Sequence, residues 1–378
     1  MSKKIISGLL PTALLFFSCG EKDTAGTPVF PMGPFVRSTV ANPVILPDTA
    51  TLFLDPLSND SLAWEAGDTF NPAAAVLNDE IIILYRAEDR SGQGIGQRTS
   101  RLGYASSKDG LHFTRLSTPV LFPDNDSQKE MEYPGGCEDP RIALSEDGQY
   151  VMLYTQWNRQ TPRLAVATST DLKTWTKQGP AFARAYGGRF NEYFSKSASI
   201  VTEIKNGKQT IVPIGGKYWM YWGEKAVYAA TSDNLTDWTP LLDDKQELKV
   251  LYQPRKGYFD SELTECGPPA IRTKEGIILL YNGKNREGEG GDPNYTARTY
   301  CAGQALFDAN HPDRLLKVED KPFLIPQESF EKSGQYPAGT VFVEGMAYFR
   351  GKWFLYYGCA DSRVAVAIYD PSNNKNKK

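Results

Sequence analysis

GYASSKDGLHF, Gly103 to Phe113, returns along the chain as AVATSTDLKTW, Ala165 to Trp175, and again as YAATSDNLTDW, Tyr228 to Trp238. Phe113, Trp175 and Trp238 close the copies at intervals of roughly 60 residues. Each copy reads as a short β run, an Asp-bearing turn and an aromatic that opens the next strand. A fourth copy is degraded around Cys301 to Leu316, and a fifth, RVAVAIYD from Arg363 to Asp370, stops halfway. Ahead of each copy lies a second repeated unit: a strand, a polar turn, then an apolar strand passing Tyr85, Tyr154, Tyr221, Tyr281 or Tyr357. No helical period is sustained. Residues 35–371 therefore predict an all-β fold, a five-bladed β-propeller of two-plus-two-strand units whose second strands are apolar on both faces because neighbours cover them. FVRSTVANPVILP, Phe35 to Pro47, is the β-rich piece expected to complete the truncated fifth unit. A pair of β-sandwiches is the alternative, and it gives no reason for the period.

The flanks carry a different message. Met1 to Ser18 has an early charge at Lys3 and Lys4 and an apolar run too short to span a bilayer, the pattern of a cleaved secretory signal. Cys19 follows a small residue and looks like the lipidated first residue of a bacterial lipoprotein, with residues 19–34 as a tether and 372–378 as a polar tail. A lipid-anchored place in a bacterial cell envelope is the expectation, periplasmic or surface-facing, with the membrane met through the anchor alone. The formal charge of -3 falls to -5 once Lys3 and Lys4 leave, which argues against a nucleic-acid partner. With 2 histidines in turn-like contexts, chemistry that needs a histidine base is improbable. The scattered Cys137, Cys266, Cys301 and Cys359 show no zinc spacing and suit buried thiols as well as disulfides. No cofactor and no metal is expected.

The ends of the inner strands should converge on one mouth. GGCEDPRI, Gly135 to Ile142, sets Glu138 and Asp139 at such an end; Pro140 is expected to hold Asp139 extended, and Arg141 either pairs with Glu138 or waits for a polar ligand. Alignment of the units puts Asn71, Asp139, Lys196 and Gly267 in equivalent places, and Arg86, Glu88, Trp157, Glu224, Lys284 and Asp361 just past the second strands. Carboxylates, cations, amides and indoles that change from unit to unit suit a sugar. Glu224 follows the apolar MYWG, Glu265 precedes Gly267 and two prolines, and Asp260 lies in the same connection. Paired carboxylates are then the remaining acid–base apparatus, and glycosidic hydrolysis is the reaction that needs only those.

Taken together, FNPA, LYRAEDR, LGYASSKDG, GCEDPRI, YFSKSA, FDSELTECGPP, ILLYNGK and YYGCAD resemble, in order, the motifs of glycoside hydrolase family 130, mannoside phosphorylases and mannosidases built on five-bladed propellers. The resemblance implies that Asp139 is the proton donor, acting through a hydroxyl of the bound mannose, and that Asn71, Arg86, Arg90, Asp260 and Asp361 touch sugar. Arg141, Gln156, Trp157 and Lys196 join them as candidate substrate contacts. Where the phosphorylases carry basic residues for phosphate, this chain has WGE and TEC, that is Glu224 and Glu265. Such a replacement resembles the hydrolytic branch acting on β-1,2-linked mannosides. The expectation is an inverting exo-β-mannosidase in which Glu224 and Glu265 activate water. A mannoside phosphorylase, a non-catalytic glycan-binding propeller and a different five-bladed glycosidase are the rivals.

Overall fold

The computed structural model describes Met1 and residues 26–373, so the secretory signal, Cys19 and residues 374–378 lie outside the described residues. Among the described residues nearly every regular element is a strand, and apart from the small ribbon of Phe53–Leu54 with Ser61–Leu62 the strands fall into five antiparallel groups joined by a few parallel contacts. The first runs Asp68–Leu77, Glu80–Glu88, Ser100–Ser107 and Thr114–Arg115. The second runs Gly136–Leu144, Tyr150–Trp157, Pro162–Ser169 and Thr176–Pro180. In the third, Ala198–Lys205 pairs with both Lys208–Ile211 and Tyr218–Trp222, and Tyr228–Ser232 and Trp238–Pro240 follow. The fourth begins with a strand broken by Gly267, Pro268 and Pro269 into Leu263–Cys266 and Ala270–Arg272, then continues through Ile277–Lys284, Tyr300–Phe307 and Leu315–Val318. The fifth is Val341–Phe349, Lys352–Cys359 and Arg363–Tyr369, and its outer strand is the N-terminal Val36–Arg37, paired to Ile368 and Ala367.

Local chemistry explains the first hairpins. Asn78-Asp79, Asn206-Gly207 and Arg350-Gly351 all carry positive φ between paired residues, the two-residue turn that matches strand twist. The apolar second strands are covered on both faces, as five hydrophobic clusters show. Leu84, Cys137 and Tyr154 share the cluster between the first and second groups. Val166 with Trp222, Tyr221 with Tyr281, and Leu280 with Tyr357 mark the next three. Tyr85 with Tyr356 closes the circuit back to the first group. The fold is all-β and propeller-like. Cys137, Cys266, Cys301 and Cys359 are all buried free thiols.

A second repeat emerges only in three dimensions. The second-strand tyrosines Tyr85, Tyr154, Tyr281 and Tyr357 donate to the buried acids Glu65, Glu132, Asp260 and Glu331 at 2.7, 2.8, 2.8 and 2.8 Å. Each acid is paired with one cation: Arg115 at 3.1 Å, Lys177 at 2.6 Å, Arg255 at 3.1 Å and Arg37 at 2.7 Å. The triad neutralises a carboxylate that burial would otherwise make costly. Asp260 is therefore a strut, not a sugar ligand. Its carboxylate is fully buried and used up by Tyr252, Tyr281 and Arg255. Gln156 is likewise turned away, donating to Gln128, Glu132 and Tyr154 in the second triad.

Removing the cation from one strut should be severe. Arg37→Ala leaves Glu331 buried without its counter-ion and is expected to cost about 3 kcal/mol or more in urea unfolding. Arg184→Ala, at an exposed pair with Asp237, should change stability by less than about 0.5 kcal/mol. Equal effects of the two substitutions would contradict the strut.

Candidate active site

The starts of the first strands are where the backbone departs from a regular ladder. Register shifts fall at Asn71, at Asp139-Pro140 and at Glu344, and Asn71, Asp139 and Ser197 have φ of 42°, 47° and 54°. Two expectations are corrected here. Asp139 is left-handed, not extended: Pro140 has no N–H to give the ladder, the strand bulges, and a short polar side chain tolerates the conformation that turns its carboxylate inward. The residue equivalent to Asp139 in the third group is Ser197, so Lys196 stands level with Glu138.

Asp139 Oδ1 accepts from Asn71 Nδ2 at 3.0 Å and from an Arg86 nitrogen at 3.1 Å. Arg86 is the hub of this side. It also holds Glu138 at 2.8 Å and Glu88 at 2.6 Å, donates to Ser100 Oγ at 3.0 Å, and lies over the Phe70 ring. Arg86, rather than Arg141, is thus the partner of Glu138. Burial pushes Glu138 up to about 7 against the pull of Arg86. Burial also acts upward on Asp139, but the charges of Arg86, Lys196 and Arg141 overcome it and hold that carboxyl well below its ordinary range. The proton of the pair therefore rests on Glu138.

Lys196 faces three carboxylates at once: Asp139 Oδ2 at 3.7 Å, Glu265 Oε1 at 3.7 Å and Glu224 Oε1 at 3.9 Å. These arms limit the gap from Asp139 Oδ2 to Glu265 Oε1 to twice 3.7 Å. Gly223 stitches the three segments together, donating to the Ser197 carbonyl at 2.9 Å and accepting from the Cys266 N–H at 3.1 Å. Its φ of 120° and a Cβ position only 2.1 Å from the Ala226 carbonyl leave room for glycine alone. Burial raises Glu265 to about 7, with Glu224 adding to the rise and Lys196 opposing it; Ser197 Oγ donates to the same carboxylate. Burial works against the Lys196 ammonium, yet Glu265, Glu224 and Asp139 lift its pKa above the ordinary lysine value.

Asp361, at φ 50°, completes the set: burial takes it to about 7 despite Arg86. The structure thus brings together Asn71, Arg86, Asp139, Lys196, Glu224, Glu265 and Asp361. Arg90 is an exposed rim residue with Nε on the Ala66 carbonyl at 3.1 Å, and half-buried Trp157 reaches the Gly96 carbonyl at 3.4 Å. Arg141 is not a sugar contact. Its side chain is 1% exposed and its nitrogens go to the backbone carbonyls of Asp139, Cys266 and Gly267. The sequence missed Tyr300, which feels the charges of Glu265 and Asp361 and packs edge-on against Tyr336 and Phe342. Tyr300 sits at the entrance to the degraded fourth copy, where the alignment fades. At the hairpin end of the same strands, a cavity of 340 Å³ lined by Ala75, Ile142 and Met346 holds no comparable cluster of acids.

Residues 56–373 match the family model of glycoside hydrolase family 130 described as beta-1,4-mannooligosaccharide phosphorylase. The chain belongs to glycoside hydrolase family 130. Among family members, a 1,2-beta-oligomannan phosphorylase from Thermoanaerobacter sp. (strain X514) is 33% identical over 82% of this chain and 93% of its own. A solved glycosyl hydrolase from Bacteroides ovatus is 64% identical with a TM-score of 0.88, covering 89% of this chain and 94% of the other. Another solved structure carries the description "The GH130 family of mannoside phosphorylases contains glycoside hydrolases that target beta-1,2 mannosidic linkages in Candida mannan". It is 61% identical, with a TM-score of 0.89, over 89% of this chain and 94% of that one. Family 130 relatives of both reaction types thus lie within reach, and the choice between them falls to the site.

The raised carboxyls also set a stability profile. Glu138, Glu265 and Asp361 titrate near 7 in the folded protein, against about 4 in an unfolded chain. Between those values the folded state binds more protons, so their contribution is full below about pH 4 and is lost as pH rises through 7. Asp139, held low, acts in the opposite sense and only below about pH 4. The urea midpoint should fall between pH 5 and pH 8; a rise across that range would contradict the burial of these groups.

Proposed function

We propose that the protein is an inverting exo-β-mannosidase hydrolysing β-1,2-linked mannosides at the centre of a five-bladed propeller. The five sheet groups and the five apolar clusters between them support the propeller reading. The observation that carries the reaction is the single ammonium of Lys196 shared by Asp139, Glu265 and Glu224. One cation outnumbered by carboxylates is a poor seat for a phosphate dianion, since like charges about 4 Å apart repel by about 4 kcal/mol per pair at intermediate dielectric. The same carboxylates suit a water molecule, which they can orient and deprotonate.

In this reading the sugar lies between Asp139 and the pair Glu224 and Glu265. Glu265 takes a proton from water, the water oxygen bonds to the anomeric carbon, and the bond to the leaving sugar oxygen breaks. That oxygen receives a proton from Asp139 relayed through a mannose hydroxyl, as the family resemblance implies, and the ionised Asp139 first takes that proton from neighbouring Glu138. Asn71 and Arg86 orient the donor, and neighbouring Glu138 keeps a proton available near neutrality.

Two measurements test the assignment. Glu265→Gln and Glu224→Gln should lower kcat on β-1,2-mannobiose in phosphate-free buffer by about a thousandfold in at least one variant, with cooperative unfolding retained. The parent's kcat/KM should be bell-shaped: rising as Glu265 ionises through about 7, falling as the Glu138–Asp139 pair gives up its proton. Parent-like rates in both variants, or a flat profile from pH 5 to 9, would remove the base assignment.

A further inference from the structure

Glu344 occupies the bulge of Val341–Phe349, where the register shifts between Val343 and Gly345. It is fully buried, and neither carboxylate oxygen has a hydrogen-bond partner. The charge it meets is Arg141, 3.3 Å away. A buried acid and a buried guanidinium are expensive to keep, and a ring packed by five apolar clusters has no need of them for cohesion. Their position suggests what they are for.

We propose that Arg141 and Glu344 form a brace that fixes the spacing between the strand carrying Asp139 and the strand carrying Glu265, making Glu344 a positioning residue for the reaction. The proposal rests on the reading of Asp139 and Glu265 as acid and base. Arg141 donates to the Asp139 carbonyl at 2.9 Å, and its other nitrogens reach the carbonyls of Cys266 at 3.0 Å and Gly267 at 3.4 Å, next to Glu265. One rigid planar fork therefore spans both backbones, which a lysine cannot do. Glu344 bears on the arm that reaches Asp139. Its own bulge is pinned from the base strand's side: Asn282 donates to the Val343 carbonyl at 3.1 Å and accepts from the Val343 N–H at 2.7 Å. Asn282 is also the cross-strand partner of Glu265. The path Asp139, Arg141, Glu344, Val343, Asn282, Glu265 thus joins the strand of the acid to the strand of the base, beside the direct arm from Arg141 to Cys266. A displacement of about 1 Å in such a centre costs on the order of a hundredfold in rate, so a brace here acts on turnover more than on affinity.

The test uses the mature protein on β-1,2-mannobiose, with kcat expressed per cooperatively folded molecule. Glu344→Asp keeps the carboxyl group but withdraws it by one methylene, and it should lower kcat at least tenfold with KM within threefold. Glu344→Gln keeps the length and an oxygen that can accept from Arg141, and it should stay within threefold of the parent. Arg141→Lys, with charge kept and fork lost, should fall with Glu344→Asp; either of the two decides the matter if the other does not fold. Parent-level kcat in Glu344→Asp and Arg141→Lys, a loss confined to KM, or a Glu344→Gln variant as poor as Glu344→Asp would each overturn the brace. Asp139→Asn and Glu265→Gln run alongside. If they turn over like the parent, the acid–base reading fails and the brace with it; if they are inactive while Glu344→Asp is not impaired, the brace alone fails.

Discussion

A single ammonium held against three carboxylates is the constraint around which this molecule is arranged. Lys196 stands 3.7 to 3.9 Å from Asp139, Glu265 and Glu224 in surroundings that burial makes poorly polarisable. Arg86 shares Asp139, which leaves Lys196 alone between Glu265 and Glu224. Burial drives Glu265 and Glu138 toward neutrality, with the neighbouring carboxylates Glu224 and Asp139 adding to the rise, while Asp139, with Arg86 and Lys196 both against it, stays ionised. The site is thus stocked with groups that change protonation near pH 7, which proton transfer to a leaving sugar and from a water requires.

The fold is what makes such a collection of charges affordable. Its cohesion comes from five apolar clusters between neighbouring sheet groups, so the strand ends in the middle are released from packing duty. Bulges at Asn71, Asp139 and Glu344 spend that freedom on aiming side chains inward. Away from that cluster, four buried acid–tyrosine–cation struts repeat the opposite solution, each carboxylate matched by one cation and at least one hydroxyl. Balanced charge marks the scaffold here, and unbalanced charge marks the site.

That distinction explains what could be read from the sequence. The period of roughly 60 residues exposed the repeated sheet groups, and Glu224 and Glu265 announced themselves by lying in apolar or proline-rich contexts where an acid needs a reason. Asp260 had equally good credentials yet belongs to a strut. Its counterpart Glu65 sits in a turn and Glu132 and Glu331 end short helices, all outside the strands and so beyond any alignment of them. Arg86 took the pairing with Glu138 expected of Arg141 for a similar reason, because a guanidinium reaches several residues from its backbone and chooses partners in space. Glu344 went unnoticed since the comparison of strand starts ended at Gly267, one group short of the full circuit.

The central claim is that solvent, and not an inorganic anion, delivers oxygen to the released sugar. Turnover of β-1,2-mannobiose in ¹⁸O-enriched water containing excess inorganic phosphate, followed by NMR and mass spectrometry, tests it most directly. The account predicts that the first mannose formed is the α-anomer with the label on its anomeric oxygen, and that no mannose 1-phosphate accumulates. Unlabelled mannose 1-phosphate as the main product would contradict it.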